Sequence, residues 1–318
     1  MFQNYYTFIF IILLILGMFL FFNGLITFSK SLNSYKNIYL FKKINSSSSF
    51  IIILYGFLFS SIIQSSSVCI SIIIPLIGLG ILSIKSCFYL IVGFNIGTVS
   101  SLFFTGLNTN FCSLILFIIS FILLIIYIIK KKEKYYILSN LVFGLTLIFL
   151  GLSTIKTSFL FFKTTSIYSL LLNNLSKNYF NPFLIGLILS SIIQSGSIIS
   201  TTFQLMYIST DIHLTYIILV ILGSNLGSTI TGILASIYYD HNAKIVAYFH
   251  VLLNLLGVLL TLSIFTPFYN LVIYITQLLK QKKGFQIAAT HLLFNIFASL
   301  FILPFTNKLQ KVLSNYTK

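Results

Sequence analysis

The sequence predicts an all-α polytopic membrane protein with two inverted repeats, each containing three transmembrane helices and one re-entrant hairpin, followed by a final helix. Three observations predict this fold. Of the 318 residues, 58% are hydrophobic and 7% are charged, whereas a soluble domain has roughly 25% charged residues. Several charge-free stretches are long enough to cross a bilayer, which takes about 20 residues. Finally, one set of polar motifs occurs twice, in the same order.

The charge distribution favours a membrane over nucleic acid as the partner of this chain. The formal net charge is +16, but the lysines lie in short runs between apolar segments, as the positive-inside rule describes. Only Glu133, Asp211 and Asp240 are acidic, which excludes sites that need clustered carboxylates. The lysine runs are Lys30 to Lys43, Lys130 to Lys134, Lys280 to Lys283, and Lys308, Lys311 and Lys318.

The first apolar segment, Tyr5 to Phe28, is interpreted as a true transmembrane helix. No lysine precedes it and Lys30 follows it, whereas a cleaved signal peptide carries its positive charge on the other side. We therefore expect the N-terminus outside and the first lysine loop in the cytoplasm.

The rest of the first half is assigned to a hairpin and two crossings. If both flanking lysine loops are cytoplasmic, the chain between them crosses the membrane an even number of times. A re-entrant hairpin at about 50–82, with its tip at Gln64, and crossings near 87–106 and 111–129 satisfy this condition. Polar residues at the tip indicate a break, because bare backbone cannot face lipid.

The second half is predicted to be inverted, because three crossings per repeat is an odd number. Its hairpin, at about 181–210, enters from outside and points its tip at the first hairpin. Residues 268–280 form a surface or half-helix, and a last helix at about 285–304 places the C-terminus in the cytoplasm. The predicted divisions are repeat 1 at 1–134, repeat 2 at 135–266 and a C-terminal helical segment at 267–318.

The repeats are visible as copied polar segments. Residues 60–67 (Ser-Ser-Ile-Ile-Gln-Ser-Ser-Ser) match 190–197 (Ser-Ser-Ile-Ile-Gln-Ser-Gly-Ser) with a shift of 130 residues. The same shift relates Gly-Phe-Asn-Ile-Gly-Thr at 93–98 to Gly-Ser-Asn-Leu-Gly-Ser at 223–228. Paired broken helices in inverted repeats are typical of secondary transporters. Such breaks expose helix ends to ions, and Gln and Ser both donate and accept hydrogen bonds.

The two Gln-Ser motifs, each followed by Gly-x-Asn-x-Gly-Thr/Ser, resemble the sodium/phosphate cotransporter family, which includes the animal type II carriers and bacterial relatives. His291-Leu-Leu-Phe-Asn295 is similar to a His-x-x-Phe-Asn element of that family, and His250 to Asn254 resembles it less closely. The likeness runs from about residue 10 to residue 305. It implies a symporter that couples inward sodium flow to phosphate uptake across the bacterial cytoplasmic membrane.

The resemblance also implies the site residues, the ligands and the partners. Sodium is the coupling ion, no other metal or cofactor is expected, and the protein is not an enzyme. The expected partners are phosphate, sodium, the lipid bilayer and a second copy of the chain, without nucleic acid. Phosphate would be bound by Gln64, Ser65, Ser66, Ser67, Gln194, Ser195 and Ser197. The sodium candidates are Gln194, Ser195, Thr201, Asn95, Asn225, Thr98 and Ser228.

Three departures from the family pattern bear on this expectation. Gly196 replaces the middle serine of the second motif and removes one hydroxyl. No PhoU-like helical domain follows the last apolar segment, so regulation through that domain is not expected. No acidic residue falls at a predicted mid-membrane position, which argues against a sodium site built on an aspartate.

Three alternatives remain open from the sequence. The carrier could take another small oxyanion, and an anion channel would share the composition. An intramembrane Ser–His hydrolase using Ser65 or Ser195 with His250 or His291 is a third class. Such chemistry needs a base held by an orienting group, and neither the lack of embedded carboxylates nor the duplication favours it.

Overall fold

A computed structural model gives the fold of the protein for residues 2–34, 44–78, 80–104, 109–162, 165–209, 211–237 and 239–316. In these ranges all regular secondary structure is helical. Among the described residues, six segments are long and apolar enough to cross a membrane: Ile84–Phe103, Ser113–Lys130, Glu133–Ile155, Leu214–Ser236, His241–Ser263 and Phe285–Ser314. The prediction of an all-α polytopic membrane protein is therefore confirmed.

The described residues form the following helices. In chain order they are α1 (Phe2–Ser34), α2 (Ser49–Ile63), α3 (Ser66–Gly78), α4 (Ile84–Gly97), α5 (Ser100–Phe104), α6 (Thr109–Lys130), α7 (Glu133–Phe162), α8 (Ser166–Ser176), α9 (Phe180–Ile193), α10 (Gly196–Ser209), α11 (Leu214–Gly227), α12 (Ile230–Ser236), α13 (His241–Ser263), α14 (Phe265–Leu278), α15 (Phe285–Ile302) and α16 (Thr306–Tyr316). A 3₁₀ turn, Leu303–Phe305, joins α15 to α16.

The chain divides into two compact units, and the first comprises Met1–Asn37 and Phe104–Asn173. Its helices α1 and α7 pack closely because glycines face each other at two levels. A Cβ atom on Gly17 would lie 3.0 Å from the carbonyl oxygen of Gly151, and one on Gly24 would lie 2.8 Å from that of Gly144. Small residues let membrane helices approach this closely.

Helix α6 also belongs to the first unit and has an apolar outer surface. Phe117 and Ile128 are exposed on it, as lipid-facing side chains are. Helix α7 is joined to α6 by a buried hydrogen bond of 2.7 Å from Ser139 Oγ to the carbonyl of Ser120. The polar bond and the apolar outer surface are those of a helix pair in a bilayer.

The second unit comprises Ile38–Phe103 and Asn174–Lys318 and contains most of the buried side chains. Helices α3, α4, α11, α13 and α15 supply its core. Phe88 of α4 stacks on Phe249 of α13, with ring centroids 3.7 Å apart and planes inclined by 8°. Both rings are almost fully buried, so the two halves of the sequence share this core.

The same glycine contacts recur in both halves of the second unit. A Cβ atom on Gly93 of α4 would lie 2.2 Å from the carbonyl oxygen of Ile53 in α2. A Cβ atom on Gly223 of α11, 130 residues later, would lie 2.0 Å from that of Phe183 in α9. In each half the helix before the Gln-Ser motif thus packs against the helix that carries Gly-x-Asn-x-Gly, with no space for a side chain.

Each of those crossings is interrupted beside its asparagine. Helix α4 ends at Gly97 and α5 begins at Ser100, while α11 ends at Gly227 and α12 begins at Ile230. Both interruptions begin at the second glycine of the repeated Gly-x-Asn-x-Gly segment. The predicted segments at 268–280 and 285–304 correspond to α14 and α15.

Two sequence expectations are not decided by this fold. Lys36, Lys42 and Lys43, on which the orientation argument depends, lie outside the described residues. The repeat boundaries at 134 and 266 remain predictions, since the compact units combine segments from both halves.

Candidate functional site

Both Gln-Ser motifs are helix breaks, as the sequence predicts. Helix α2 ends at Ile63, and Gln64 has a left-handed backbone with φ of 60°. Helix α9 ends at Ile193, and Gln194 has φ of 57°. A left-handed residue reverses the path of a helix at its C-terminus, and glycine usually takes this position. Here glutamine takes it twice.

The serine after each glutamine caps the next helix. Ser65 Oγ accepts a hydrogen bond of 3.4 Å from the backbone N–H of Val68, at the start of α3. Ser195 Oγ accepts one of the same length from Ile198, at the start of α10. Serine is a favoured N-cap because its oxygen satisfies an otherwise unpaired backbone donor. The identical geometry explains why both copies have serine here.

The two motifs meet at Ser228. Ser67 Oγ, in the first turn of α3, donates a hydrogen bond of 3.3 Å to the carbonyl oxygen of Ser228. Gly196, the first residue of α10, lies so close that a Cβ atom on it would be 3.2 Å from Ser228 Oγ and 3.1 Å from the Ser224 carbonyl oxygen. The starts of α3 and α10 therefore both contact the interrupted end of α11.

The serines that precede each motif brace the breaks. Ser61 Oγ donates to the carbonyl of Gly97 over 3.3 Å, and Ser191 Oγ donates to that of Gly227 over 3.2 Å. The carbonyls at a helix C-terminus have no partner within the helix, and one of these hydroxyls lies within hydrogen-bond distance of such a carbonyl in each repeat. The Ser191 hydroxyl is closer, at 2.8 Å, to the Leu187 carbonyl of its own helix. Ser61 and Ser191 thus have a structural role that duplicates along with the motif.

The two motif glutamines differ in exposure. Gln64 is 1% exposed, and its Oε1 has no hydrogen-bond partner in the described part of the chain. Gln194 is exposed, and its backbone carbonyl accepts a hydrogen bond of 3.2 Å from Thr231 Oγ1. A buried amide oxygen without a partner is destabilising unless a ligand or water satisfies it.

A second buried oxygen lies in α10. Thr201 Oγ1 is buried and unpartnered within the described ranges. Its counterpart Ser71 instead donates to the carbonyl of Ser67 over 2.9 Å. Thr201 therefore keeps an oxygen that its counterpart uses inside the helix.

Asn95 and Asn225, the asparagines of the two Gly-x-Asn-x-Gly segments, are buried. A hydroxyl three residues later in the chain donates to the backbone carbonyl of each. Thr98 Oγ1 donates to the carbonyl of Asn95 over 2.8 Å, and Ser228 Oγ donates to that of Asn225 over 2.9 Å. The side chain of Asn225 also contacts α15, because its Oδ1 lies 2.8 Å from His291 Nε2. The sequence singles out His291 but gives no partner for it, since contacts between distant helices have no local pattern.

The structure thus brings some of the predicted residues together. Ser67 and the start of α10 lie against Ser228, which is one turn from Asn225. Ser66 is half-buried and Ser197 is buried, while the Gln194 side chain is exposed.

A cavity of about 590 Å³ lies elsewhere in the second unit. None of the predicted site residues lines it. Its lining residues are Tyr179, His213, Thr215, Leu219, Leu262, Phe265, Thr266 and Tyr269.

Comparison with known proteins identifies the family to which the chain belongs. The model of the Na+/Pi-cotransporter family matches residues 10–157 and 164–279, which include both copies of each motif. The uncharacterized protein YqeW of Bacillus subtilis (strain 168) is 30% identical over 266 residues, 82% of this chain and 82% of that protein. No solved structure matches the chain. The protein therefore belongs to the Na+/Pi-cotransporter family.

Proposed function

We propose that the protein is a secondary active transporter that couples inward sodium flow to uptake of inorganic phosphate across the cytoplasmic membrane. The observation that carries this proposal is the meeting of both motifs at one turn. Ser67 donates to the Ser228 carbonyl, and Gly196 lies against the same residue. Two helix N-termini from different repeats thus approach one short segment, as a shared ion site at a repeat interface requires.

Phosphate binding would use helix starts and hydroxyl groups. The N-termini of α3 and α10 carry partial positive charge and favour an anion. Ser66, Ser67 and Ser197 lie in their first turns. The hydroxyls of Ser66 and Ser197 can donate to phosphate oxygens, whereas the Ser67 hydroxyl donates to the Ser228 carbonyl and would position the start of α3. The capping serines Ser65 and Ser195 hold those turns in place. The sequence has no arginine, so neutral donors and bound sodium would offset the charge and permit release.

Sodium binding would use neutral oxygen atoms. Gln64 Oε1 and Thr201 Oγ1 are buried oxygens that lack a partner among the described residues, and hard cations prefer oxygen ligands. Asn225 Oδ1 is a third candidate, while the hydroxyls of Thr98 and Ser228 support the asparagine carbonyls. A cation at these oxygens would satisfy buried groups that are otherwise unpaired.

We also infer that the two hairpins open to opposite ends of the second unit, as inverted repeats would. Contacts at one end support this. A Cβ atom on Gly78, the last residue of α3, would lie 2.8 Å from Tyr239, which precedes α13. Asn45, before α2, donates over 2.8 Å to the carbonyl of Ile81, before α4. The first hairpin therefore opens where α4 and α13 begin.

Contacts at the other end support the position that we infer for the second hairpin. Gln204, in the second half of α10, donates to the carbonyl of Leu102 in α5 over 3.1 Å and to that of Gly284, before α15, over 2.9 Å. Because α4 and α5 together run from Ile84 to Phe104, Leu102 lies far along the crossing from its start. The second hairpin then opens outward and the first into the cytoplasm, with the N-terminus outside and the C-terminus inside.

The decisive experiment is uptake by the purified full chain in proteoliposomes. We expect labelled phosphate to accumulate with an inward sodium gradient but not with an equal potassium gradient. The initial rate should saturate with phosphate. Uptake that is unchanged when sodium is removed would contradict the coupling.

The same assay separates the alternatives. Competition by arsenate but not by sulfate supports phosphate as the substrate, whereas equal competition indicates a general oxyanion carrier. A rate that never saturates indicates a channel. Both S65A and S195A should impair uptake if the helix starts share one site, while a hydrolase would need only one of these serines.

A further inference from the structure

The hydrogen bond between His291 and Asn225 joins α15 to the interrupted end of α11. His291 Nε2 and Asn225 Oδ1 are 2.8 Å apart, and both side chains are buried. The other end of the same amide is also engaged, because Asn225 Nδ2 donates to the carbonyl of Ile221 over 2.9 Å. Both ends of the Asn225 amide therefore have protein partners.

The two contacts fix the orientation of the amide and the tautomer of the imidazole. The carbonyl of Ile221 can only accept, so the NH₂ group of Asn225 must face it. The amide oxygen must then face His291, and Nε2 must carry the proton. His291 thus donates from Nε2 toward Asn225, and its Nδ1 has no partner among the residues described.

We infer that His291 is a positioning residue that fixes which end of the Asn225 amide a cation can reach. The inference rests on the proposed function, in which Asn225 Oδ1 is a candidate sodium ligand. With the Nε2–H bond in place, the oxygen has one lone pair left to offer. Without that bond only the hydrogen bond from Nδ2 to the Ile221 carbonyl opposes rotation of the amide, so the oxygen is held less firmly toward the cation and the NH₂ group, which repels a cation, can take its place more often.

His250 provides a matched control in the same unit. It is also fully buried, in α13, but neither of its ring nitrogens has a hydrogen-bond partner in the described ranges. A Cβ atom on Gly232 of α12 would lie 3.7 Å from His250 Nδ1, and Gly232 is not one of the predicted site residues. Replacing His250 therefore removes a buried imidazole without removing a bond to a site residue.

The experiment measures the sodium concentration that half-saturates phosphate uptake by the full chain in proteoliposomes. A sodium titration of thermal unfolding in detergent measures sodium affinity without transport. H291L should raise the half-saturating sodium concentration about five- to tenfold, the effect of one lost buried hydrogen bond. The KM for phosphate at saturating sodium should stay near that of the wild type. H250L should leave the sodium dependence within about twofold of the wild type.

Two amide variants test the geometry of the bond. Glutamine places its NH₂ group near the position of Nε2, and asparagine places it near Nδ1. H291Q should therefore restore near-normal sodium dependence, while H291N should resemble H291L. If H291L does not fold, H291Q and H291N still decide the question. Equal sodium dependence in those two variants would overturn the inference.

A double-mutant comparison tests whether His291 acts through Asn225. The variant H291L/N225A should have the same sodium dependence as N225A alone, because the partner has already been removed. A further loss in the double variant would contradict the inference, as would wild-type sodium dependence in H291L. Sodium-independent uptake by the wild type would instead refute the proposed function, and the unfolding titration would still report on His291.

Discussion

The hydroxyl of Ser67 donates to the carbonyl of Ser228 over 3.3 Å, although the two residues are 161 positions apart in the chain. Ser228 in turn donates its own hydroxyl to the carbonyl of Asn225 over 2.9 Å. The first Gln-Ser motif is thus joined to the second Gly-x-Asn-x-Gly segment by hydrogen bonds from serine hydroxyls to backbone carbonyls. This connection depends on the Ser67 hydroxyl and not on the side chain of its partner.

Removing that hydroxyl should weaken both the fold and transport. S67A loses a buried hydrogen bond between distant segments and should lower the free energy of unfolding by about 1 kcal/mol. S71A is the control, because Ser71 bonds only to a carbonyl in its own helix and should change stability by less than about 0.5 kcal/mol. Thermal unfolding in detergent and sodium-dependent uptake measure the two effects. Equal losses in both variants would contradict this view of Ser67.

The two motif glutamines should not be equivalent. Gln64 is buried with an unpartnered amide oxygen, whereas the Gln194 side chain is exposed. Q64A should reduce the initial rate of phosphate uptake about tenfold, which corresponds to about 1.4 kcal/mol of lost binding. Q194A should reduce it less, because its amide is already solvated or lipid-facing. The ratio of the two initial rates, at matched protein per vesicle, checks the order. A larger loss of uptake for Q194A than for Q64A would contradict the assignment of Gln64 Oε1 to the ion site.

Restoring the missing serine of the second motif should impair the protein. A Cβ atom at residue 196 would lie 3.1 Å from the Ser224 carbonyl oxygen and 3.2 Å from Ser228 Oγ, so in G196S these neighbours must give way by a few tenths of an ångström. Such overpacking typically destabilises by about 1–3 kcal/mol. The reciprocal change S66G, at a half-buried position, should cost less. Unfolding temperature and uptake test the pair, and wild-type behaviour of G196S would show that the contact is not tight.

The glycine contacts between the hairpins and the crossings should be intolerant of any side chain. G223A would place a methyl group 2.0 Å from the Phe183 carbonyl oxygen, so the backbones of α9 and α11 would have to separate. We expect a loss above about 2 kcal/mol and a reduced yield of folded protein. G232A is the control, because its nearest neighbour is a side-chain methyl, Ile70 Cγ2, at 3.2 Å and not a backbone atom. Size-exclusion profiles and unfolding temperatures of the two variants should differ clearly.

The sequence predicts the helix breaks well, for a physical reason. Buried Gln and Ser clusters inside apolar segments are unfavourable unless the backbone is interrupted there, so Gln64 and Gln194 mark the ends of α2 and α9 correctly. The interruption beside Asn95 and Asn225 follows from the flanking glycines. The start of the last crossing at residue 285 follows from the preceding lysines.

The contacts between helices could not be predicted in the same way. The bond from His291 to Asn225 and the bonds from Gln204 to Leu102 and Gly284 join segments whose relative register has no local pattern. The unequal burial of the two glutamines is also absent from the sequence, because the motif is the same around both. Duplication predicts similar backbone paths but not similar surroundings.

The left-handed backbone at both glutamines has an energetic consequence. An L-amino acid with a side chain pays about 1 kcal/mol for this conformation, and glycine would avoid the strain. Each hairpin tip is therefore held in a backbone conformation that its own residue does not prefer. The contacts around the two tips must offset this cost, so each tip gives up some thermal robustness to hold an amide at the end of its helix.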